Sequence, residues 1–204
     1  MTSLVIAGTD TDVGKTVFAA ALAAATDRYY WKPVQAGNED GGDSATVASL
    51  GVPSGRILPE AYSLKTPASP HHAAEIDGVS IAHRSLELPE QPCIVETAGG
   101  VLVPLTRDTL YIDVLAQWRA PLVLVARTAL GTINHSLLSL EALRAREIPV
   151  LGIAFIGPAN EDSEHIICEM GEVLRLGRLP ILDDLTADSL GSAFSANFNL
   201  DDFS

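Results

Sequence analysis

Gly8-Thr9-Asp10-Thr11-Asp12-Val13-Gly14-Lys15-Thr16 is the stretch on which the reading of this chain turns. An apolar run, Leu4-Val5-Ile6-Ala7, precedes it, and an Ala-rich, helix-favouring run over residues 17–25 follows. Strand, tight loop, Gly-Lys-Thr and helix is the order of a phosphate-binding loop. In such a loop, free N–H groups and the positive end of the helix dipole converge on phosphate oxygens. Gly14 allows close backbone approach, Lys15 reaches the β- and γ-phosphates, and the Thr16 hydroxyl ligates Mg²⁺. The first glycine departs from the usual spacing. It is expected at position 9, where Thr9 stands, and occurs one residue earlier as Gly8. Asp10 and Asp12 read either as loop contacts or as helix caps.

The chain has 204 residues, 47% of them hydrophobic, enough for one domain, residues 1–204, with an ample core. Its 26 acidic and 13 basic residues give a formal charge of −13, which argues against nucleic acid or an anionic membrane as a partner. Lysine is scarce: Lys15, Lys32 and Lys65 are the full set. Cys93 and Cys168 lack paired-ligand spacing and lie in apolar segments, so buried free thiols and a reducing compartment are expected. No charged-then-apolar leader opens the sequence and no apolar run nears the roughly 20 residues of a membrane span. A cytoplasmic protein is expected.

Residues 29–34 read as a second strand ended by Pro33. A Gly- and acid-rich loop over 35–43 leads to a helix over 43–50 with Asp43 as its N-cap. Residues 53–70 are proline-punctuated and irregular. Short helices are expected over 71–75 and 81–86. Residues 92–96 form a buried strand ending on Glu96, with 97–100 as a loop. An acid at the carboxyl end of a buried strand is where such proteins hold Mg²⁺. Helices over 110–118, 134–147 and 163–174 (Ser163 as cap) alternate with strands over 121–126, 150–156 and 179–182. A last helix over 186–194 precedes an acidic tail. This alternation predicts an α/β fold with a mostly parallel sheet covered by helices on both faces.

Five blocks together carry a family resemblance: residues 8–16, Lys32-Pro33-Val34-Gln35-Ala36-Gly37, Ser69-Pro70-His71, Val95-Glu96-Thr97-Ala98-Gly99-Gly100 and Gly131-Thr132-Ile133-Asn134-His135. In order and spacing they resemble ATP-dependent dethiobiotin synthetase over most of the chain. The resemblance implies a P-loop homodimer that converts 7,8-diaminononanoate, CO₂ and ATP into dethiobiotin, ADP and phosphate. It implies Lys15 and Lys32 as catalytic cations and Thr16, Asp43 and Glu96 as Mg²⁺ ligands. Asp12, Val13, Gly14, Lys15, Thr16, Val17, Glu96, Gly157, Leu179 and Pro180 fall on the nucleotide side. Thr11, Lys32, Ala36, Gly37 and Ser69 fall on the diamine side. Gly131, Thr132, Ile133 and Asn134 open a helix whose N–H groups suit the distal carboxylate, supplied across the dimer interface. Lys32 also reads as a solvated strand-end lysine, and Asn134 as a plain helix cap.

Two positions depart from the family pattern. Ile156 stands where many relatives have an adenine-reading Asn, so CTP or other triphosphates are expected to serve beside ATP. Thr97 stands where Gly usually follows the acid, adding either a shift of the loop or a hydroxyl contact. His71 and His72 lack further ligands at metal-binding spacing. Cobyrinate-type amide synthetases share this loop class but usually carry a glutaminase domain, for which 204 residues leave no room. Partition and septum-placing ATPases carry a lysine where this chain has Asp10-Thr11-Asp12.

Overall fold

Leu4–Gly8, buried along its whole length, forms strand β1 at the centre of a computed structural model that describes residues 2–38 and 41–203. The remaining strands are β2 (Tyr29–Trp31), β3 (Val34–Ala36), β4 (Ile57–Leu58), β5 (Tyr62–Leu64), β6 (Cys93–Gly100), β7 (Leu122–Arg127), β8 (Val150–Ile156) and β9 (Arg175–Leu179). The helices are α1 (Lys15–Thr26), α2 (Gly42–Ser49), α3 (Pro70–Asp77), α4 (Tyr111–Trp118), α5 (Thr132–Arg144), α6 (Glu161–Met170) and α7 (Ala187–Asn197).

Seven strands make one sheet in the order β4-β2-β6-β1-β7-β8-β9, and all its ladders are parallel. Side chains alternate across it, because successive residues of a strand face opposite ways. Val5, Ala7, Val95, Leu122 and Leu124 pack with residues of α3, α4, α5 and α6 on one face. Leu4, Ile6, Ile94, Val123 and Val125 pack with α1, α2 and α7 on the other. Burial on both faces explains why the central strands are continuous apolar runs. No helix of the described residues is long and apolar enough to cross a membrane.

Several elements differ from the sequence expectations. The strand expected over 29–34 breaks at Lys32-Pro33, and β3 leaves to pair with β5 in a separate two-stranded parallel sheet. Pro33 has no N–H to continue the ladder, and its carbonyl accepts from Tyr62 N at 3.0 Å. Residues 53–70 therefore contain β4 and β5 rather than irregular chain alone. Residues 39–40 of the expected Gly-rich loop lie outside the described residues. The expected helix over 81–86 is a single 3₁₀ turn, His83–Ser85. Residues 97–100 continue β6, with a bulge where β1 runs from Ile6 to Gly8. α6 starts before Ser163 and is capped by Asn160, whose side chain accepts from Ser163 N. The last strand is Arg175–Leu179, not 179–182. The acidic tail packs instead of trailing off. Phe203 is buried in a cluster with Phe18, Phe194 and Phe198, and its carbonyl accepts from the Arg28 guanidinium at 2.8 Å. Cys93 is buried, whereas Cys168 is only half-buried.

Candidate active site

The ends of β1, β2 and β6 meet on one edge of the sheet, where the connection after β1 becomes a tight loop. Asp12 and Gly14 both take left-handed backbone conformations there, at φ 56° and 91°. A side chain on Gly14 would place a Cβ 2.9 Å from Ile156. Gly8 is equally constrained: a Cβ would meet Asp10 O, Lys15 Cδ and Val13 Cγ2, each at 2.9 Å. The shift of the first glycine from position 9 to 8 therefore keeps the glycine where the chain crosses itself. Thr9 instead extends β1, donating its N–H to Val125 O at 3.0 Å. Gly14 caps α1 without any side-chain hydrogen bond. This corrects the alternative in which Asp10 or Asp12 caps the helix, and it leaves the first-turn N–H groups free of a side-chain cap. Asp10 instead accepts from Thr11 N at 2.8 Å and lies 3.7 Å from Arg127.

Charged groups converge beside this loop. Glu96 is fully buried at the β6 position paired with Ile6. Its Oε1 accepts from Thr16 Oγ1 at 2.8 Å and from Lys32 Nζ at 3.0 Å, and its Oε2 accepts from Tyr30 Oη at 2.8 Å. Lys32 also donates to Asp43 Oδ2. Burial works against the Lys32 charge, but Glu96 and Asp43 outweigh it, and its pKa stands above the ordinary lysine value. At 5% exposure Lys32 is not the solvated strand-end lysine that its sequence position also allowed. Lys15 is buried, its ammonium folded back onto Asp10 O at 2.8 Å. Burial lowers its pKa to about 8, with Glu96 pulling the other way. Burial and the Glu96 charge push the Tyr30 phenol well above its ordinary value, so it stays a donor.

Asp43 does not cap α2. Gly41 occupies that position at φ 84°, and Asp43 sits in the first turn with its N–H on Gln35 Oε1 at 3.1 Å. Gln35 in turn donates to Gly37 O at 2.9 Å, so one amide ties β3 to the start of α2. A hydroxyl, Thr16, and two carboxylates, Asp43 and Glu96, are thus brought together through Lys32. Such an all-oxygen donor set suits Mg²⁺, which keeps several waters and binds phosphate oxygens.

A cleft of about 960 Å³ opens over these groups. Thr11, Asp12, Gly14, Lys15, Thr16, Val17, Lys32, Ala36, Gly37, Asp43, Ser69 and Glu96 all line it. A second pocket of about 290 Å³ shares Asp12, Gly14 and Val17 with the cleft and adds Val13, Arg127, Ile156, Leu179, Pro180 and Leu182. Gly157 does not line either pocket. Its N–H holds Leu179 O at 3.0 Å and its carbonyl accepts from Arg178 at 2.9 Å. The α5 turn stays apart: Gly131, at φ 92°, is the helix cap rather than Asn134, and Thr132 is buried with its hydroxyl on Arg127 O. None of Gly131, Thr132, Ile133 or Asn134 lines the cleft of the single chain.

A family profile described as an AAA domain matches residues 2–189. The chain is 64% identical over 203 residues to the ATP-dependent dethiobiotin synthetase BioD of Rhodopseudomonas palustris strain HaA2, covering 98% of this chain and 95% of that one. The chain belongs to the ATP-dependent dethiobiotin synthetases. A relative of the same name from Novosphingobium aromaticivorans is 58% identical over 205 residues, covering both chains in full. Solved structures add only the fold of this synthetase. The cell-division ATPase MinD of Pyrococcus furiosus aligns with a TM-score of 0.57 at 12% identity over 100% of this chain and 98% of that one. A ParA-family ATPase from Chlorobium tepidum aligns at 0.53 and 13% over 96% and 91%.

Several residues in and around the two pockets carried little or no signal in the sequence. Tyr30 was hidden in an apolar strand, and Arg127 carries no motif of its own. Thr97 turns its hydroxyl to Ile6 O at 3.4 Å, a contact within the sheet. Lys65 lines the cleft and left one signal, the scarcity of lysine.

Proposed function

We propose that this cleft makes dethiobiotin from 7,8-diaminononanoate, CO₂ and ATP, with Lys15 and Lys32 as the cations at the reacting centre. The convergence of Lys32, Glu96, Asp43 and Thr16 beside the phosphate-binding loop carries this reading. Ring closure needs a carbonyl activated toward a second amine. One amine captures CO₂ and loses a proton to give a carbamate. A carbamate oxygen attacks the γ-phosphorus of ATP, and ADP leaves. The second amine, as the free base, then attacks the carbonyl of this mixed anhydride, expels phosphate and gives up its extra proton to the departing phosphate. Carbamate and triphosphate are both anions, so bringing them together requires fixed positive charge. Lys15 leaves Asp10 O for the transferring phosphoryl group. Lys32 orients the carbamate, and Tyr30 and Thr16 keep Glu96 in place when Lys32 turns toward substrate. Thr16, Asp43 and Glu96 would hold Mg²⁺, which supplies charge neutralisation of the phosphate oxygens.

The second pocket is the base site in this reading. Apart from Asp12 and Arg127 its lining side chains are apolar, and no carboxamide is among them. That supports relaxed nucleotide choice, with CTP and other triphosphates serving beside ATP. A homodimer fits the exposed α5 entry, flanked by Leu130 and Leu138, which are 102% and 55% exposed. In such a dimer Gly131–Asn134 of one protomer would offer N–H groups to the substrate carboxylate bound by its partner. A single domain carries the whole reaction, and a cytoplasmic location fits a chain with unpaired cysteines.

The test is a product assay. The full chain with diamine, bicarbonate, Mg²⁺ and each of ATP, CTP, GTP and UTP should yield dethiobiotin by mass spectrometry, with phosphate release that requires the diamine. Diamine-independent phosphate release without dethiobiotin refutes the reading, and strict ATP dependence refutes the relaxed base site.

A further inference from the structure

In a chain of formal charge −13, all three lysines line one cleft. Two of them are engaged, Lys15 with Asp10 O and Lys32 with Asp43 and Glu96. Lys65 is exposed, and among the described residues its ammonium has no hydrogen-bond or ion-pair partner. Its backbone, by contrast, is anchored. Lys65 N donates to Asp77 Oδ2, and Thr66 donates to the same carboxylate through its hydroxyl at 2.6 Å and its N–H at 3.3 Å. After the Thr66 hydrogen bonds, the Lys65 charge also helps hold the Asp77 carboxyl below its ordinary value, yet it forms no ion pair with it. A fixed main chain carrying such a charge at a cleft rim is a base prepared for an anionic guest.

The register tells which half of the cleft Lys65 serves. β5 pairs with β3 so that Leu64 lies opposite Ala36, and Gly37 N donates to Leu64 O at 3.0 Å. Lys65 therefore follows directly at the rim beside Gly37, with Pro67, Ala68 and Ser69 continuing the same wall. It does not line the second pocket, between Val13, Ile156 and Leu179, where the base is placed. Its guest belongs to the diamine side. The free diamine end is cationic and is repelled by an ammonium, whereas a carboxylate or a carbamate is attracted.

We propose that Lys65 is a substrate-side anion contact whose ammonium holds a carboxylate-type group of the diamine substrate. This rests on the dethiobiotin synthetase reading of the cleft. The shared chemistry, one negative charge over two oxygens, has two sources, the carbamate formed on the amine and the distal carboxylate. Substitution leaves the anchor intact, because Asp77 is held by backbone and Thr66 groups.

The experiment compares the unsubstituted chain with Lys65→Ala and Lys65→Arg, all first shown to melt alike. Lys65→Ala should raise KM for diaminononanoate roughly ten-fold, the scale of a charge-assisted contact near solvent. KM for ATP should stay within about two-fold, because the contact lies outside the nucleotide half, and Lys65→Arg should recover most of the loss. A penalty that persists with the same vicinal diamine lacking its carboxylate assigns the carbamate, and a penalty that vanishes with it assigns the carboxylate. Dethiobiotin formed with an unchanged diamine KM in Lys65→Ala overturns the contact alone, as does an equal rise for ATP. No dethiobiotin from the unsubstituted chain overturns the reaction reading and this contact with it.

Discussion

Lys32→Met removes the cation that balances the most buried carboxylate of the site while keeping most of the side-chain volume. Glu96 is 0% exposed and Lys32 5%, at 3.0 Å from each other. Breaking a buried pair from one side costs about 3–5 kcal/mol, because the remaining charge is stranded. Glu96 keeps Tyr30 Oη and Thr16 Oγ1, both at 2.8 Å, which places the loss at about 3 kcal/mol, the lower end of that range. For a chain of this length the melting temperature should fall by roughly 6–12 °C. The Lys32 pKa is raised above 10.5, so its contribution is complete below that value and is lost only as pH rises through the raised one. Melting at pH 8 therefore reads all of it. The assay is thermal unfolding in chelator and again in Mg²⁺. The variant should gain more from the metal than the unsubstituted chain, since Mg²⁺ restores positive charge at Glu96 and Asp43. Turnover should fall by about 10²–10³-fold, the range for losing one group that stabilises transition-state charge. A melting temperature in chelator within about 2 °C of the parent would refute the stranded-charge argument. Near-normal turnover in the folded variant would remove Lys32 from the mechanism.

Other parts of the structure make equally direct predictions. Gly14→Ala puts a Cβ 2.9 Å from Ile156 at φ 91°, so it should cost about 1–2 kcal/mol of strain and weaken ADP binding more than ten-fold by calorimetry; unchanged affinity would mean the loop tolerates the side chain. Glu164 is 2% exposed and holds Arg175 at 2.7 Å and Arg178 at 3.4 Å. Glu164→Ala should lower urea stability by about 2 kcal/mol, less than a wholly buried pair because Arg175 reaches solvent, and an unmoved midpoint contradicts this. Burial pushes the Cys93 thiol up to about 11, so little thiolate exists at pH 8 and alkylation should speed up only at higher pH or in urea. A mass-spectrometric time course showing rapid native alkylation of Cys93 at pH 8 would contradict its burial.

The sequence was most legible where one physical requirement dominates. β1, β7, β8 and the first half of β6 are buried on both faces, so each reads as an apolar run. Lys15, Thr16 and Glu96 stand at fixed places relative to those runs, and the structure brings them together. Where two requirements compete, the sequence misleads. β9 carries Arg175 and Arg178, because an edge strand exposes charge and here feeds Glu164, so the nearby apolar residues 179–182 looked more strand-like. Asp43 has the composition of a cap, but Gly41 supplies the left-handed turn and frees the carboxylate for Lys32. β3 and β5 are three residues each and lie between prolines, below what periodicity resolves. The role of Tyr30 depends on the register of β2 against β6, which pairs it with Ile94 and brings its hydroxyl to Glu96.

In the proposed reaction a carbamate oxygen, held by Lys32 beside Lys15, attacks the γ-phosphorus. Isotope transfer follows that oxygen. The chain would be mixed rapidly with diaminononanoate, ATP, Mg²⁺ and ¹⁸O-labelled CO₂, quenched before the label exchanges with water, and the released phosphate weighed by mass spectrometry. One ¹⁸O per phosphate is expected, carried from the carbamate through the mixed anhydride. Unlabelled phosphate, formed alongside dethiobiotin, would show that water and not carbamate receives the phosphoryl group, and would rule out carbamate attack.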